Sequence, residues 1–353
     1  MPHAALRATS FRAACIQWLI RSALLVCASL LIFAAIMPAA FSTSDGGLLR
    51  LCLVAFMVRT FWFHIGLALI PFVIAAAALR MRKSSIIGTA LLVWTLVPSL
   101  WSLRPRPDAA AQGSALTLMS INLFFGNDDL AAVEASIRHE DPDLILLQEY
   151  TPDAAAKLEP LLRDRYPHIL DFSREGAFGQ AIFSRKPFIG TPDPFPHQNP
   201  LNGDPLPPGT VAYNQPQIRV VVDVGGREVM IQNTHLPAPV SMQFFRDQRV
   251  WMEWLIEQTR AQTRPLIYAG DFNATQQSAE LAALREAGLF CALDDAGIGR
   301  CTTWPHQRWL KYVPGIRIDQ FMARDLICES ARTGLATGSD HLPIVARFHA
   351  APR

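Results

Sequence analysis

The sequence predicts an α/β domain that follows an N-terminal bundle of about three transmembrane helices. Hydrophobic residues make up 50% of the 353 residues, and the mean hydropathy of +0.19 is high for a soluble protein. This apolar excess is concentrated in the first 101 residues. Beyond residue 115, short apolar segments typical of strands alternate with segments of helical periodicity, as in α/β domains.

The predicted membrane region covers residues 1–101. Residues 22–41 and 60–79 contain no Asp, Glu, Lys or Arg, and a helix needs about 20 apolar residues to cross the hydrocarbon core. A shorter apolar run at 86–101 contains Pro98 and is the third predicted span. A cleaved signal peptide would explain the first run, but the later runs would remain. We interpret residues 48–57 as an interfacial turn or an extension of the second span.

Charge separates the membrane region from the rest of the chain. Ten Lys and Arg stand against two Asp and Glu before residue 112, whereas 22 stand against 28 from Gln112 onward. Three arginines precede residue 22, and three basic residues lie at 80–83 between the second and third runs. The positive-inside tendency places both segments in the cytoplasm. We therefore expect a multi-pass protein of the cell (inner) membrane, with the lipid bilayer as a partner and the C-terminal domain in the periplasm.

Residues 102–115 form the predicted linker, because hydrophobic periodicity is lost around Pro105 and Pro107. Residues 191–217 contain eight prolines and are predicted to form a long loop. The predicted strands are 115–122, 144–149, 180–184, 218–224, 229–235, 266–271, 318–323 and 344–348. The predicted helices are 129–140, 153–163, 241–262 and 276–287.

Polar residues stand at or near the ends of these strands, where loops of α/β domains carry function. Hydrolysis of a phosphodiester needs oxygen ligands for a hard divalent cation, a base for the attacking water and donors for the charge that builds on the phosphoryl group. Taken alone, each motif has a structural explanation, such as a turn at Gly-Asp-Phe-Asn or a helix cap at Ser-Asp-His. The series is Asn122, Gln148-Glu149, Thr234-His235, Gly270-Asp271-Phe272-Asn273, Arg317-Ile318-Asp319 and Ser339-Asp340-His341.

This ordered series resembles the endonuclease/exonuclease/phosphatase superfamily over about residues 116–348, and we assign residues 116–350 to its catalytic domain. The resemblance implies a four-layer α/β sandwich of two mixed sheets with helices outside. It also implies a metal-dependent phosphoric ester hydrolase. The Thr234-His235 pair is typical of the branches that contain deoxyribonucleases, sphingomyelinases and inositol-phosphate phosphatases, whereas exonuclease III-like repair enzymes usually have a tyrosine there.

The resemblance also assigns roles to individual residues. Asn122, Glu149 and Asp340 are the implied ligands of Mg²⁺ or Mn²⁺. Asp271 accepts a proton from the nucleophilic water or orients it, and the Asn273 amide binds a phosphoryl oxygen. His341 is the candidate acid or base, with Asp319 orienting its ring. His235 completes the catalytic set, and which group takes the proton from water stays open.

Two classes of function remain at this point. The first is a membrane-anchored, divalent-metal-dependent phosphodiesterase that hydrolyses phosphodiester (or phosphomonoester) bonds and is either nuclease-like or phospholipase C-like. The alternative is a non-catalytic membrane scaffold that retains the fold, although such a scaffold should have lost at least one of the six motifs. The substrate is a phosphodiester, either nucleic acid or phospholipid. Only three lysines, Lys157, Lys186 and Lys311, follow residue 112, which weakens the nuclease hypothesis. No protein partner can be inferred.

Cysteine spacing argues against a zinc site, because the sequence contains no Cys-x-x-Cys or Cys/His ligand pattern. A disulfide between Cys291 and Cys301 would suit a periplasmic domain and is left open. Trp304 and Trp309 precede Asp319, so we expect them at the mouth of the site or, for one of them, in the core.

Overall fold

The computed structural model describes residues 2–39, 45–101, 113–195 and 217–351. Its contacts divide the chain into two compact units. One comprises Met1–Pro38 and Leu51–Arg104, and the other comprises Ala39–Arg50 and Pro105–Arg353. Of the predicted linker, residues 102–115, the part 102–112 lies outside the described ranges, and Ala115 is the first residue of a strand.

The N-terminal region is helical, as predicted, but it does not contain three clear spans. The helices are α1 (Pro2–Ile36), α2 (Gly46–Thr60), α3 (Trp62–Ala78) and α4 (Arg82–Trp101). Within the described residues, Arg12–Ile36 is long and apolar enough to cross a membrane, and α2 with α3 could form a second span bent by 67°. The predicted third span at 86–101 belongs to the helix α4, which is not among these candidate spans in the described part of the chain.

The helices α3 and α4 pack closely because small residues lie where they meet. A Cβ added to Gly66 would lie 2.5 Å from the Thr95 hydroxyl, and one added to Gly88 would lie 2.6 Å from Val73. The rings of Trp62 and Trp94 meet edge to face, with centroids 4.9 Å apart.

Residues 48–57, predicted as an interfacial turn or an extension of the second span, belong to the helix α2.

The C-terminal unit contains two mixed six-stranded sheets, which confirms the predicted α/β sheet architecture. The first sheet consists of β1 (Ala115–Asn122), β2 (Leu144–Gln148), β3 (His168–Phe172), β4 (Gln180–Ser184), β11 (Leu326–Thr333) and β12 (Ile344–Ala350), in the order β11-β12-β1-β2-β4-β3. The second consists of β5 (Asp193–Phe195), β6 (Gln217–Val224), β7 (Arg227–His235), β8 (Leu266–Asp271), β9 (Phe290–Cys291) and β10 (Asp319–Arg324), in the order β5-β6-β7-β8-β10-β9.

Five α-helices accompany the sheets within the described residues. They are α5 (Leu130–Glu140), α6 (Pro152–Leu162), α7 (Met242–Ala261), α8 (Ala279–Glu286) and the single turn α9 (Ala292–Asp295). Apolar residues of α5 and α6 share a buried cluster with β1, β2 and β4, so these helices cover one face of the first sheet. The first turns of α5, α6, α7 and α8 are capped by the side chains of Asp129, Thr151, Ser241 and Ser278.

The two sheets face each other across a polar seam. The strands β1 and β2 contact β7 and β8 of the other sheet. The Gln148 amide donates to Asn233 Oδ1 at 2.6 Å, and Asn233 Nδ2 donates to the carbonyl oxygens of Leu147 and Ala181 at 2.8 and 3.1 Å. Because these buried amides have partners on the opposite sheet, they fix the sheets relative to each other.

Strand pairing brings the polar strand ends to one edge. The strands β1 and β2 are parallel, with Asn122 opposite Gln148. In the second sheet, β7 and β8 are parallel with His235 opposite Asp271, and antiparallel β10 places Asp319 opposite Asp271 on the other side. The residues predicted at separate strand ends therefore lie together.

The sequence analysis missed four strands, β3, β5, β9 and β11. The strand β3 has no fully buried residue, β9 has two residues, and β11 mixes polar with apolar positions. The strand β5 lies inside residues 191–217, which were predicted as a loop throughout. Residues 196–216 of that segment are outside the described residues.

Candidate active site

Asn122 and Glu149 stand at adjacent strand ends of the first sheet. Asn122 is the last residue of β1, and its Nδ2 donates to Glu149 Oε1 at 3.1 Å. Glu149 follows β2 with a φ of 55°, a left-handed conformation that turns the chain sharply at this point. Its other oxygen accepts the Phe125 backbone N–H at 2.9 Å. Both oxygen atoms of the Glu149 carboxylate are therefore held by hydrogen bonds, one from the end of β1 and one from the loop that follows it.

Asp271 ends β8 in the second sheet and lies at the centre of the site. Its carboxylate accepts the Asn273 backbone N–H at 2.8 Å and the side-chain amides of Asn273 and Asn122 at 3.1 and 3.2 Å. Asn273 adopts a φ of 49° and also donates to the Leu236 carbonyl at 2.8 Å. The amide donors of Asn273 thus position Asp271, and its predicted contact with a phosphoryl oxygen stays a prediction.

His341 and Asp319 form a buried pair. His341 Nδ1 donates to Asp319 Oδ2 at 2.9 Å, which directs Nε2 towards Asp271, whose Oδ2 is 3.9 Å away. The Ser339 hydroxyl accepts the His341 backbone N–H at 3.0 Å and donates to the Asn122 carbonyl at 2.7 Å. The C-terminal motif is therefore attached to the end of β1, and the hydrogen bond to Asp319 fixes the orientation of the His341 ring.

His235 ends β7 opposite Asp271 and is buried. The Gln217 amide makes two bonds to its backbone, since Oε1 accepts the His235 N–H at 3.2 Å and Nε2 donates to the His235 carbonyl at 2.9 Å. The His235 Nε2 atom lies 4.0 Å from Glu149 Oε1 and 3.9 Å from Asp271 Oδ2. His235 Nδ1 is buried and has no hydrogen-bond partner among the described residues.

Asp340 lies at the rim of the site, partly exposed. Trp304 Nε1 donates to its Oδ2 at 3.2 Å, and the His306 backbone N–H donates to its carbonyl at 2.6 Å. Trp304 thus borders the site, whereas Trp309 is 68% exposed. Neither tryptophan is buried, so the prediction that one of them lies in the core is wrong.

Burial and close charges shift the pKa values of the central groups. Burial and the neighbouring Asp319 carboxylate raise the pKa of Asp271 to about 8. Burial opposes the protonation of His341, but the charge and hydrogen bond of Asp319 outweigh it and raise the pKa of His341 to about 10. Burial lowers the pKa of His235 and raises that of Asp340. At neutral pH, His341 is therefore an imidazolium and His235 a neutral imidazole.

The donor set fits a divalent cation. Burial and the neighbouring Asp319 carboxylate raise the pKa of Asp271, and a bound cation would offset both effects by favouring the ionised carboxylate. Ligating atoms of Asp271, Asp319 and His341 lie within 4.8 Å of one another. Hard cations such as Mg²⁺ prefer oxygen ligands. The Asp319 and His341 side chains are already hydrogen-bonded to each other, which argues against both of them as ligands. Ligation by the predicted set, Asn122, Glu149 and Asp340, stays a prediction.

The structure adds site residues that the sequence analysis did not assign. The Phe125 N–H holds Glu149, and Gln217 holds the His235 backbone. The Thr303 hydroxyl accepts the Ile318 N–H at 3.2 Å and so fixes the start of β10. Of the missed residues, only Ser339 belonged to a motif. Cys291 and Cys301 are not joined by a disulfide in the structure.

Sequence comparison identifies relatives of this chain. The sequence profile of the Endonuclease/Exonuclease/phosphatase family matches residues 119–341. Two Vibrio cholerae proteins, both called UPF0294 protein, are 28% identical over 124 residues, which are 35% of this chain and 41% of each relative. The chain therefore spans about 41% of the length of the curated relatives it matches.

Solved structures share the fold of the C-terminal unit. An endonuclease/exonuclease/phosphatase from Beutenbergia cavernae is 24% identical with a TM-score of 0.50, covering 67% of this chain and 72% of that chain. TDP2 from D. rerio, in complex with a single-strand DNA product, is 17% identical with a TM-score of 0.50, covering 67% of this chain and 99% of that chain. At these identities the likeness concerns the fold.

Proposed function

We propose, because the chain belongs to the endonuclease/exonuclease/phosphatase family, that it is a membrane-anchored phosphodiesterase that depends on Mg²⁺ or Mn²⁺. Members of this family generally hydrolyse phosphoester bonds. The observation that carries the proposal is the buried Asp319–His341 pair, whose free imidazole nitrogen is directed at Asp271. A charged donor, a carboxylate and a second imidazole then surround one point.

Each central residue has a role that follows from its protonation and partners. His341, as an imidazolium, can donate a proton or a hydrogen bond to a phosphoryl or leaving-group oxygen. Asp271, fixed by three hydrogen bonds from amide groups, can orient the attacking water or accept its proton. Neutral His235 offers a further ring nitrogen to a phosphoryl oxygen. When bound, a divalent cation held by Asn122, Glu149 and Asp340 would polarise the phosphoryl group and favour ionised Asp271.

The convergence of the motifs favours an enzyme over the scaffold alternative. All eight predicted site residues are present, and hydrogen bonds or short ionic distances connect seven of them. Asp340, the eighth, is next to His341 and bonded to Trp304. A scaffold would not need an orphaned His235 nitrogen or a buried carboxylate with a raised pKa, since both reduce stability.

The substrate is a phosphodiester of one of two kinds. The D. rerio TDP2 structure contains a single-strand DNA product, which favours nucleic acid. The acidic balance after residue 112 and an adjacent bilayer favour a phospholipid. Cleavage of plasmid DNA should be compared with cleavage of phospholipid vesicles at matched Mg²⁺. Cleavage of only one of the two substrates eliminates the other from the proposal.

The proposal is tested by hydrolysis of bis(p-nitrophenyl) phosphate with the full chain in detergent and Mg²⁺. We expect Asp271→Asn and His341→Ala each to reduce turnover by at least about a hundredfold. His139→Ala, on the exposed surface of α5, is the matched control and should retain full activity. Full activity in either active-site variant would reject the proposal. So would a wild type that is inactive with Mg²⁺ and also with Mn²⁺.

A further inference from the structure

A short loop of the C-terminal unit exposes large apolar side chains. This loop, residues 307–314, is called here the docking loop. Trp309 is 68% exposed, Tyr312 81% and Val313 43%. Residues Arg308–Tyr312 form a 3₁₀ helix, in which side chains three residues apart lie above each other. Trp309 and Tyr312 therefore share one side of the turn, and an aromatic surface faces solvent.

Cations accompany these aromatic rings. Arg308 and Lys311 are exposed and, being three residues apart, also share a side of the turn. The Lys311 ammonium lies 5.3 Å from the centre of the Tyr312 ring. Exposed aromatic rings beside basic side chains suit the interface of a bilayer, where rings lie at the headgroup level and cations meet lipid phosphates.

A cleft of about 530 Å³ adjoins the docking loop. Tyr312 and Val313 form part of its wall, together with Arg300, Arg332 and Ile298. No Asp or Glu is among its lining residues, and Arg332 forms an ion pair with Glu140. Arg300 donates to the Gly315 carbonyl at 2.8 Å, so its guanidinium is held in place. Burial, with a smaller contribution from the nearby Arg317 charge, lowers the pKa of Arg300 to about 10. The cleft thus combines cations with apolar walls.

The docking loop is joined to the active site at its base. Trp304 pairs with Ile316 across the loop, and its indole N–H bonds Asp340. The Thr303 carbonyl accepts the Leu342 N–H at 2.8 Å, directly after His341. A surface that engages the docking loop is therefore brought close to the rim of the site.

We propose that the docking loop and its cleft bind the surface of an anionic phospholipid bilayer, with Trp309 and Tyr312 in the headgroup layer and phosphates at the arginines. Aliphatic Ile298, 67% exposed, and Val313 have no ring on which a base could stack, so the patch suits lipid better than single-stranded nucleic acid. The apolar helix Arg12–Ile36 supplies a reason for a bilayer nearby. This binding goes beyond the proposed hydrolysis and does not depend on it.

The test uses the full chain in nanodiscs of phosphatidylglycerol whose acyl chains are brominated, because bromine quenches tryptophan that enters the bilayer. The wild type and Trp309→Phe are compared, and the difference in their fluorescence isolates Trp309. We expect brominated lipid to quench the Trp309 fluorescence, so that the difference between the two proteins becomes smaller. In a lysine-to-glutamate variant, Lys311→Glu, the quenching should weaken, since each cation near an anionic surface contributes roughly fivefold in affinity.

Val240→Ser is the matched control, because Val240 is an aliphatic residue, 80% exposed, outside the docking loop and its cleft. Its Trp309 quenching should equal that of the wild type, whereas Val313→Ser should reduce it. Hydrolysis of bis(p-nitrophenyl) phosphate checks that each variant is folded. If the wild type does not hydrolyse this substrate, quenching of Trp309 still tests lipid binding, because the binding does not depend on hydrolysis. An unquenched Trp309, or quenching by oligothymidylate instead of lipid, would overturn the proposal.

Discussion

At the scale of single residues, Asp271 and His341 are defined by their shared environment. Each is buried, and the two approach within 3.9 Å. Asp319 acts on both: its charge adds to burial in raising the pKa of Asp271 to about 8, and its charge and hydrogen bond outweigh burial in raising the pKa of His341 to about 10. One carboxylate therefore keeps the imidazole charged and makes the second carboxylate a stronger proton acceptor.

The first prediction concerns Asp319→Asn. The amide keeps the size of the side chain but removes the charge that favours the imidazolium, so the pKa of His341 should fall. We expect turnover of bis(p-nitrophenyl) phosphate to drop at least about a hundredfold. The alkaline limb of the pH–rate profile should move to lower pH, because His341 loses its proton earlier.

Asp164→Asn, an exposed change with the same chemistry, serves as the control and should leave the profile unmoved. An alkaline limb in Asp319→Asn identical to that of the wild type would show that Asp319 does not set the protonation of His341.

Which site residues the sequence could predict depended on their position. Asn122 and Asp271 end apolar strands, so the strand pattern located them and the motif order assigned their chemistry. Gln217 could not be found in this way, since its amide bonds to the His235 backbone and this contact depends on the pairing of β6 with β7. Trp309 was placed at the mouth or in the core, because sequence alone does not distinguish an exposed ring from a buried one.

At the scale of elements, parallel pairing of β7 with β8 forms the second half of the site. Gly270 permits this pairing, since an added Cβ would lie 1.9 Å from the Thr234 carbonyl oxygen in β7. Its φ of 142° is also rare for residues with a side chain. Strands buried along their length, such as β2 and β8, were predicted within one residue, whereas half-exposed β3 was missed because it lacks the apolar pattern.

The second prediction is that Gly270→Ala destabilises the C-terminal unit by at least about 2 kcal/mol, because it adds both strain and a backbone clash. Thermal unfolding followed by tryptophan fluorescence measures the change. Gly46→Ala, where an added Cβ meets nothing within 4 Å, is the matched control. Equal midpoints for both variants would contradict the tight approach of β7 and β8.

At the scale of the whole molecule, charge and hydropathy distinguish the N-terminal region from the C-terminal unit clearly, but they do not determine the number of membrane spans. The basic first third and the apolar helix Arg12–Ile36 support a membrane anchor. The number of spans decides the side on which the C-terminal unit lies, because each crossing reverses it. Three spans with a cytoplasmic N-terminus place it in the periplasm, and so does one span. Two spans would return it to the cytoplasm.

The third prediction addresses this topology. Alkaline phosphatase fused after Arg353 should be active in a bacterial host, because the enzyme requires an oxidising periplasm for its disulfides. A green fluorescent protein fused at the same position should then remain dark. The opposite pattern would place the catalytic unit in the cytoplasm and would require an even number of spans.

The central claim, that Glu149 helps to hold a catalytic divalent cation beside Asp271 and His341, is tested most directly by a metal titration. The full chain, freed of metal by chelation, is assayed on bis(p-nitrophenyl) phosphate against increasing Mg²⁺, for the wild type and Glu149→Gln. We expect no turnover without metal, full recovery on addition, and a variant that needs at least about tenfold more Mg²⁺ because a charged ligand is lost. Turnover by the chelated wild type, or identical Mg²⁺ curves for the two proteins, would contradict the account.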